Sequence, residues 1–159
     1  MNTRHNWPVV YLAGPIAGTQ AGVAFDWRDY AESRLDDYDI VALSPLRAKD
    51  RLRASQVSDD FRRYQMNGAF YTPAGILTRD HHDCTTSDAV LMNLLGATEK
   101  SFGTGMELAW TYDHHIPTVV AIEDEGNVHD GHPMFAAAVK FRLSTLDDAI
   151  DAIAVILGR

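Results

Sequence analysis

The chain predicts an α/β fold: a flavodoxin-like, doubly wound sheet of five parallel strands with helices on both faces. Two observations point to it. Runs of strand length recur at 9–13, 40–43, 89–95, 117–122 and 140–143, most of them continuously apolar, as in strands buried on both faces. The segments between them carry helical periodicity, and strand–helix alternation builds a parallel sheet through right-handed crossovers.

Each element has a local reason. The first strand, Val9-Val10-Tyr11-Leu12-Ala13, is broken by Gly14-Pro15-Ile16-Ala17-Gly18. A helix follows with Phe25, Ala31 and Leu35 on its apolar face, and Asp36-Asp37-Tyr38-Asp39 ends it. Ile40-Val41-Ala42-Leu43 is a short strand stopped by Ser44-Pro45. From Leu46 to about Asn67 the chain is polar and basic, with Arg47, Lys49, Arg51, Arg53, Arg62 and Arg63. It reads as a helical or irregular excursion over the active face, a candidate lid. Pro73 opens a helix toward Ser87, since proline suits a first helical turn. The strand at 89–95 leads to a helix expected from Gly105 to about His115. The strand at 117–122 precedes an acidic loop over 123–131 and a short helix over 133–138. A last strand at 140–143 is followed by Thr145-Leu146-Asp147-Asp148, which caps a helix carrying Ala149, Ile150, Ile153, Ile156 and Leu157.

Composition bounds the function. With 159 residues, 46% hydrophobic and 23% charged, the chain reads as one globular domain over 1–159, without repeats or a linker. A net charge of −8 argues against a nucleic-acid polymer as partner, yet permits a small anion in a locally basic pocket. Cys84 is the single cysteine, so no intrachain disulfide forms, and no run is long enough to cross a bilayer. The first residues lack the apolar core of a signal peptide, so a cytoplasmic location is expected.

The segment Ser101-Phe102-Gly103-Thr104-Gly105-Met106-Glu107-Leu108-Ala109 concentrates the chemistry. It lies past the C-terminal end of a strand, where open α/β sheets bind ligands. Glu107 is expected in a helix's first turn, where the dipole would hold it ionised as a candidate nucleophile. The first loop lacks the G-x-G-x-x-G spacing and the Lys-Ser/Thr of a P-loop, so Gly14 is expected to serve close backbone approach to a sugar or phosphate. Arg79-Asp80-His81-His82-Asp83-Cys84 is rich in ionisable groups, but no outlying Cys/His pair completes a tetrahedral set, so no metal is expected. Asp80 and Asp88, eight apart, would share one helix side; alternatively Asp88 caps a helix end or strand start. Cys84 reads as a packing residue, His114-His115 as a helix C-terminus, and Trp7, Trp27 and Trp110 as core or interface aromatics.

Taken in order and spacing, Tyr11-Leu12-Ala13-Gly14, Asp80 eight residues before Asp88, and Gly103-x-Gly105-Met106-Glu107-Leu108 resemble the nucleoside 2-deoxyribosyltransferase family and its relatives, the deoxynucleotide N-glycosidases. The resemblance runs from Val9 to about Ala136. It implies that Glu107 attacks the anomeric carbon of a 2-deoxyribosyl group, that Tyr11 orients this carboxylate, and that Asp80 meets the nucleobase and handles the proton of its leaving nitrogen. Asp80 beside apolar groups would suit a protonated acid, paired with an ionised Glu107. Gly14, Pro15, Ile16, Asp88, Ser101, Gly103, His132 and Met134 would contact substrate, and no cofactor is implied. His132-Pro133-Met134 resembles a segment donated by a neighbouring subunit, which implies a homo-oligomer with shared active sites.

Two departures matter. Ser101 stands where transferases of the family often carry an aspartate, and a serine there resembles the monophosphate hydrolases; yet the first loop lacks the arginine those hydrolases carry. The chain also ends in Gly158-Arg159, without the terminal tyrosine of some transferases. The expected activity is deoxyribosyl transfer between nucleobases. Hydrolysis of a 2′-deoxynucleoside or its 5′-monophosphate is the alternative, and a catalytically silent nucleotide-binding module a further one.

Overall fold

The computed structural model describes residues 6–16, 19–47 and 72–159. Ten elements alternate: β1 (Val9–Ala13), α1 (Ala21–Asp36), β2 (Val41–Leu43), α2 (Pro73–Thr86), β3 (Ala89–Asn93), α3 (Phe102–Asp113), β4 (Thr118–Ala121), α4 (Pro133–Ala138), β5 (Phe141–Leu143) and α5 (Leu146–Ile156). The strands form one sheet in the order β2-β1-β3-β4-β5, and every neighbouring pair is parallel. This is the flavodoxin-like architecture expected from the alternation. The basic excursion lies outside the described residues from residue 48 onward. No helix of the described residues is long and apolar enough to cross a membrane.

Strand alternation sorts the side chains into two layers. Val10, Leu12, Leu91, Val119 and Ala121 pack with Ala31 and Leu35 of α1 and with Ala149, Ile150 and Ile153 of α5. Tyr11, Ala13, Val90, Met92 and Val120 face the other way, toward Cys84 of α2 and Leu108 of α3. Fully burying one such aliphatic side chain contributes about 1.5–3 kcal/mol. Register puts Tyr11 opposite Leu43 on one side and Val90 on the other, near the middle of the sheet.

Caps fix the helix starts. Thr72 accepts from the Gly75 N–H ahead of Pro73, and Thr145 accepts from the Asp148 N–H. The start of α3 departs from expectation. Ser101 is its N-cap, accepting from the Thr104 N–H, so the helix begins at Phe102 rather than Gly105. Residues 103–105, read as turn formers, are helical because a serine cap three residues before a threonine closes the first turn ahead of them.

Candidate functional site

Tyr11 and Glu107 form the centre of the site. The Tyr11 hydroxyl donates to Glu107 Oε1 at 2.8 Å, and both residues are buried. β1 turns Tyr11 toward the α2/α3 layer, and α3 turns Glu107 back toward the sheet. The early start of α3 moves Glu107 into the second helical turn, and no acidic residue occupies the first. The dipole account of its charge therefore does not hold, because that effect fades beyond the first turn. Burial dominates instead and pushes the Glu107 carboxyl up to about 7. The Tyr11 hydrogen bond, the positive charge of Arg28 and the Gly14 N–H favour the carboxylate; nearby Asp80 opposes it. Tyr11 is itself raised by burial and then by Glu107, so it stays a hydrogen-bond donor.

Gly14 has a backbone reason to be glycine. Its φ is +150°, and a Cβ there would lie 2.6 Å from the Asn93 carbonyl oxygen and 3.2 Å from the Trp27 ring. The close approach is thus to β3 and α1 rather than to a ligand. Next in the loop, Pro15 is half-buried, and Ile16 packs with Ala24, Phe25 and Leu46. The Ile16 carbonyl accepts from the Thr19 N–H at 3.2 Å.

Asp80 reaches the centre from α2, and its charge acts on Tyr11, Arg28, Cys84 and Glu107. The apolar surroundings expected for it are not found. Arg79 donates to Asp80 Oδ1 through Nε at 3.1 Å and Nη2 at 2.9 Å, and Nη2 also reaches the Pro45 carbonyl at 2.8 Å. One turn further along α2, Cys84 is buried with its Sγ 3.6 Å from the Glu107 carbonyl. Burial pushes its thiol up, away from the thiolate a nucleophile needs. The packing reading of Cys84 fits this placement.

Asp88 is not brought to the cluster. α2 ends at Thr86, so Asp88 leaves the face that carries Asp80. It sits just before β3 and accepts from the Val9 N–H at 2.7 Å, joining the starts of β1 and β3 at the opposite edge of the sheet. Its proximity to Asp80 in sequence reflects helix length, and its role is that of a strand-start cap.

Ser101 and Gly103 stand at the N-terminus of α3, the helix that carries Glu107, and Ser101 lines the groove between α3 and α4. Ser101 Oγ accepts from the Thr104 N–H at 3.3 Å and the Thr104 hydroxyl at 2.9 Å. Gly103, one turn before Glu107 on the same helix side, borders open space: a Cβ there would meet nothing within 4 Å. The Ser101 N–H donates to His129 Nε2 at 3.2 Å, and His129 Nδ1 lies 2.9 Å from Asn127 Oδ1. A nitrogen that accepts at Nε2 must carry its proton on Nδ1, so the ring donates to Asn127. Burial lowers the His129 pKa, which keeps this neutral form. Asn127 in turn donates to the Leu94 carbonyl at 2.9 Å and Glu123 at 2.7 Å, tying the loop after β4 to the end of β3.

His132 and Met134 stand apart from Glu107 within one chain. His132 precedes α4 as its N-cap without a side-chain capping bond, and Met134 is 76% exposed. With Phe102, Met106, Tyr112 and Phe135 they line an apolar groove of about 890 Å³ between α3 and α4. The groove lies on the side of α3 turned away from Glu107.

Arg28, His129 and Asn127 were missed in the sequence. Arg28 carried a readable signal: it falls on the stripe of Phe25, Ala31 and Leu35, where an arginine is out of place unless something inside needs it. His129 and Asn127 sit in a loop that reads as merely acidic, with no periodicity to mark them. His81 packs edge-on to Trp110 at 4.9 Å between α2 and α3, as core aromatics do. Among the described residues, no three His, Cys, Asp or Glu side chains converge as a metal set would.

No known protein-family profile matches the chain, and no curated protein matches its sequence. Solved structures do. The chain is similar to a 2-deoxyribosyltransferase from Bacillus psychrosaccharolyticus, with a TM-score of 0.62 at 15% identity, over 92% of this chain and 95% of that one. It is similar to the CMP N-glycosidase BcmB of Clostridium botulinum, with a TM-score of 0.57 at 10% identity, over 92% and 98%. It is also similar to a molybdenum cofactor binding protein from Rippkaea orientalis, with a TM-score of 0.58 at 13% identity, over 96% and 99%. The chain shares their fold; of the first two neighbours, one is a 2-deoxyribosyltransferase and the other an N-glycosidase of the ribonucleotide CMP.

Proposed function

We propose that the protein cleaves the N-glycosidic bond of 2′-deoxynucleosides through a deoxyribosyl ester of Glu107 and transfers the sugar to another nucleobase. The observation that carries this reading is the buried 2.8 Å hydrogen bond from Tyr11 to Glu107, with Asp80 facing both. A carboxylate held in one orientation, and poised to ionise near neutral pH, suits attack on an anomeric carbon. In the first step a Glu107 oxygen bonds to C1′ as the C1′–N bond breaks. The bond pair stays on the base nitrogen, which takes a proton from Asp80. In the second step a nitrogen of the incoming base attacks C1′, its proton passes to Asp80, and Glu107 leaves as carboxylate. A 2′-hydroxyl would crowd Glu107 and destabilise the oxocarbenium-like state, so the deoxy sugar is preferred over ribose.

The sites are shared in a homo-oligomer. The exposed placement of His132 and Met134, beside an apolar groove and away from their own Glu107, supports delivery of that segment to a second copy. Hydrolysis is the second reading, and Ser101 at the N-terminus of α3 favours a 5′-monophosphate as its substrate. Incubation with a deoxynucleoside or its monophosphate, with and without a second free base, separates the readings. Base exchange supports transfer, free sugar supports hydrolysis, and no change supports a silent binder. Intact-mass analysis should trap a deoxyribosyl adduct that Glu107→Ala abolishes; an adduct on any other residue would sink the assignment.

A further inference from the structure

Arg28 is the least expected residue of the fold. It is 1% exposed, and its guanidinium lies inside the molecule between α1 and the end of β1. All its hydrogen bonds among the described residues go to backbone carbonyls: Ala24 at 2.8 Å, Gly14 at 2.9 Å and Leu12 at 3.4 Å. Its Cζ lies 4.3 Å from the centre of the Trp27 ring. A guanidinium stripped of water needs anionic compensation, and carbonyls supply only part of it. The charged and titratable groups that face it are Glu107 from α3, Tyr11 from β1 and Asp80 from α2. Among the described residues, those facing Glu107 are Tyr11, Asp80 and Arg28, with Cys84 on α2 packed against its carbonyl, and of these Arg28 alone is cationic.

We propose that Arg28 is a positioning residue for the reacting carboxylate: it fixes the backbone of Gly14 beside Glu107 and supplies the buried positive charge that balances the glutamate. This rests on the reading of Glu107 as the reacting group. The geometry is a short relay through one residue: the Gly14 carbonyl accepts from Arg28, and the Gly14 N–H, on the preceding peptide, favours the Glu107 carboxylate. Arg28 is shut off from solvent, so it acts through Gly14 and through its field rather than by touching substrate. When Glu107 ionises, the buried centre gains a negative charge opposite one that is already positive. When Glu107 becomes an ester, that negative charge is lost, and Arg28 then favours its return as leaving carboxylate in the second step. A purely structural arginine would need the three carbonyl bonds but not the charge.

The test separates bonds from charge. Glutamate labelled with ¹³C at the side-chain carboxyl reports Glu107 directly, in wild type, Arg28→Lys and Arg28→Gln. Arg28→Gln is expected to move the Glu107 midpoint up by about one pH unit or more, a tenfold change in ionisation. Arg28→Lys should keep it near the wild-type value. An unmoved midpoint in folded Arg28→Gln overturns the proposal. If that variant does not fold, the Arg28 ¹⁵Nε resonance decides. In wild type it should follow the Glu107 titration, and in Glu107→Gln it should not titrate in that range; no response in wild type overturns the proposal. Should wild type release no base at all, the enzymatic reading fails, while the carboxyl titration still decides the role of Arg28.

Discussion

Tyr11 and Glu107, 96 positions apart in the chain, meet through one buried hydrogen bond, and that bond opposes the burial that protonates the carboxyl. The strand and the helix thus each contribute half of the pair: α3 brings the carboxyl and β1 brings the donor that favours its ionised form.

Base release should rise with pH through about 7, as Glu107 ionises. Tyr11→Phe removes a bond that favours the carboxylate, so its acid limb should shift to higher pH. The kcat/KM profiles of both proteins check this. A limb at the same pH in both would show that the tyrosine does not govern the ionisation.

Asp80→Asn should slow the chemical step by roughly 10²- to 10⁴-fold with little effect on binding, since it removes proton transfer to the base. The check compares a natural deoxynucleoside with one carrying a good leaving group. Equal losses on the two substrates would contradict a proton-transfer role. The clamp from Arg79 makes the same residue sensitive to its neighbour, and Arg79→Ala should weaken discrimination between bases by releasing Asp80 Oδ1.

Ser101→Ala removes the cap of α3 and should cost about 1 kcal/mol of stability in thermal or urea unfolding. If a 5′-phosphate is bound there, nucleotide affinity should also fall by about 1.5–3 kcal/mol, with the nucleoside barely affected. Titration of both ligands into both proteins decides it. An equal change for the two ligands would place Ser101 against base or sugar.

Mixing a Glu107 variant with a His132 variant should restore activity, because some interfaces then pair an intact Glu107 with an intact His132. A monomer by sedimentation, or no recovery once subunit exchange is demonstrated, would rule out shared sites.

Periodicity and turn chemistry made the fold legible. Continuous apolar runs of strand length, such as Val9–Ala13, read as strands covered on both faces; their alternation with helices implied a parallel sheet, and their number suggested its flavodoxin-like order. The cluster of Tyr11, Asp80 and Glu107 was legible in the order and spacing of the motifs that carry the resemblance, and Glu107 alone had a local signal of its own. It was misread where one cap decided the answer: Ser101 starts α3 early, which moves Glu107 out of reach of the helix dipole. For Asp88 the strand-start cap held, and only its place among the substrate contacts failed, because spacing along a chain does not show where a helix stops. Arg28 was overlooked because a charge on a helix is ordinarily taken as solvated, and only burial reveals the exception.

The elevated Glu107 carboxyl sets catalytic readiness against thermodynamic robustness. A carboxyl whose folded-state pKa lies above its unfolded value stabilises the fold in full below the ordinary glutamate range, and that contribution disappears as pH rises past about 7. The difference between the two extremes is on the order of 3 kcal/mol for a displacement of this size. At this one group, then, the fold is favoured most at acidic pH, where the carboxyl is protonated and idle, and the ionised form it would need for attack is the one that gives up this share of cohesion.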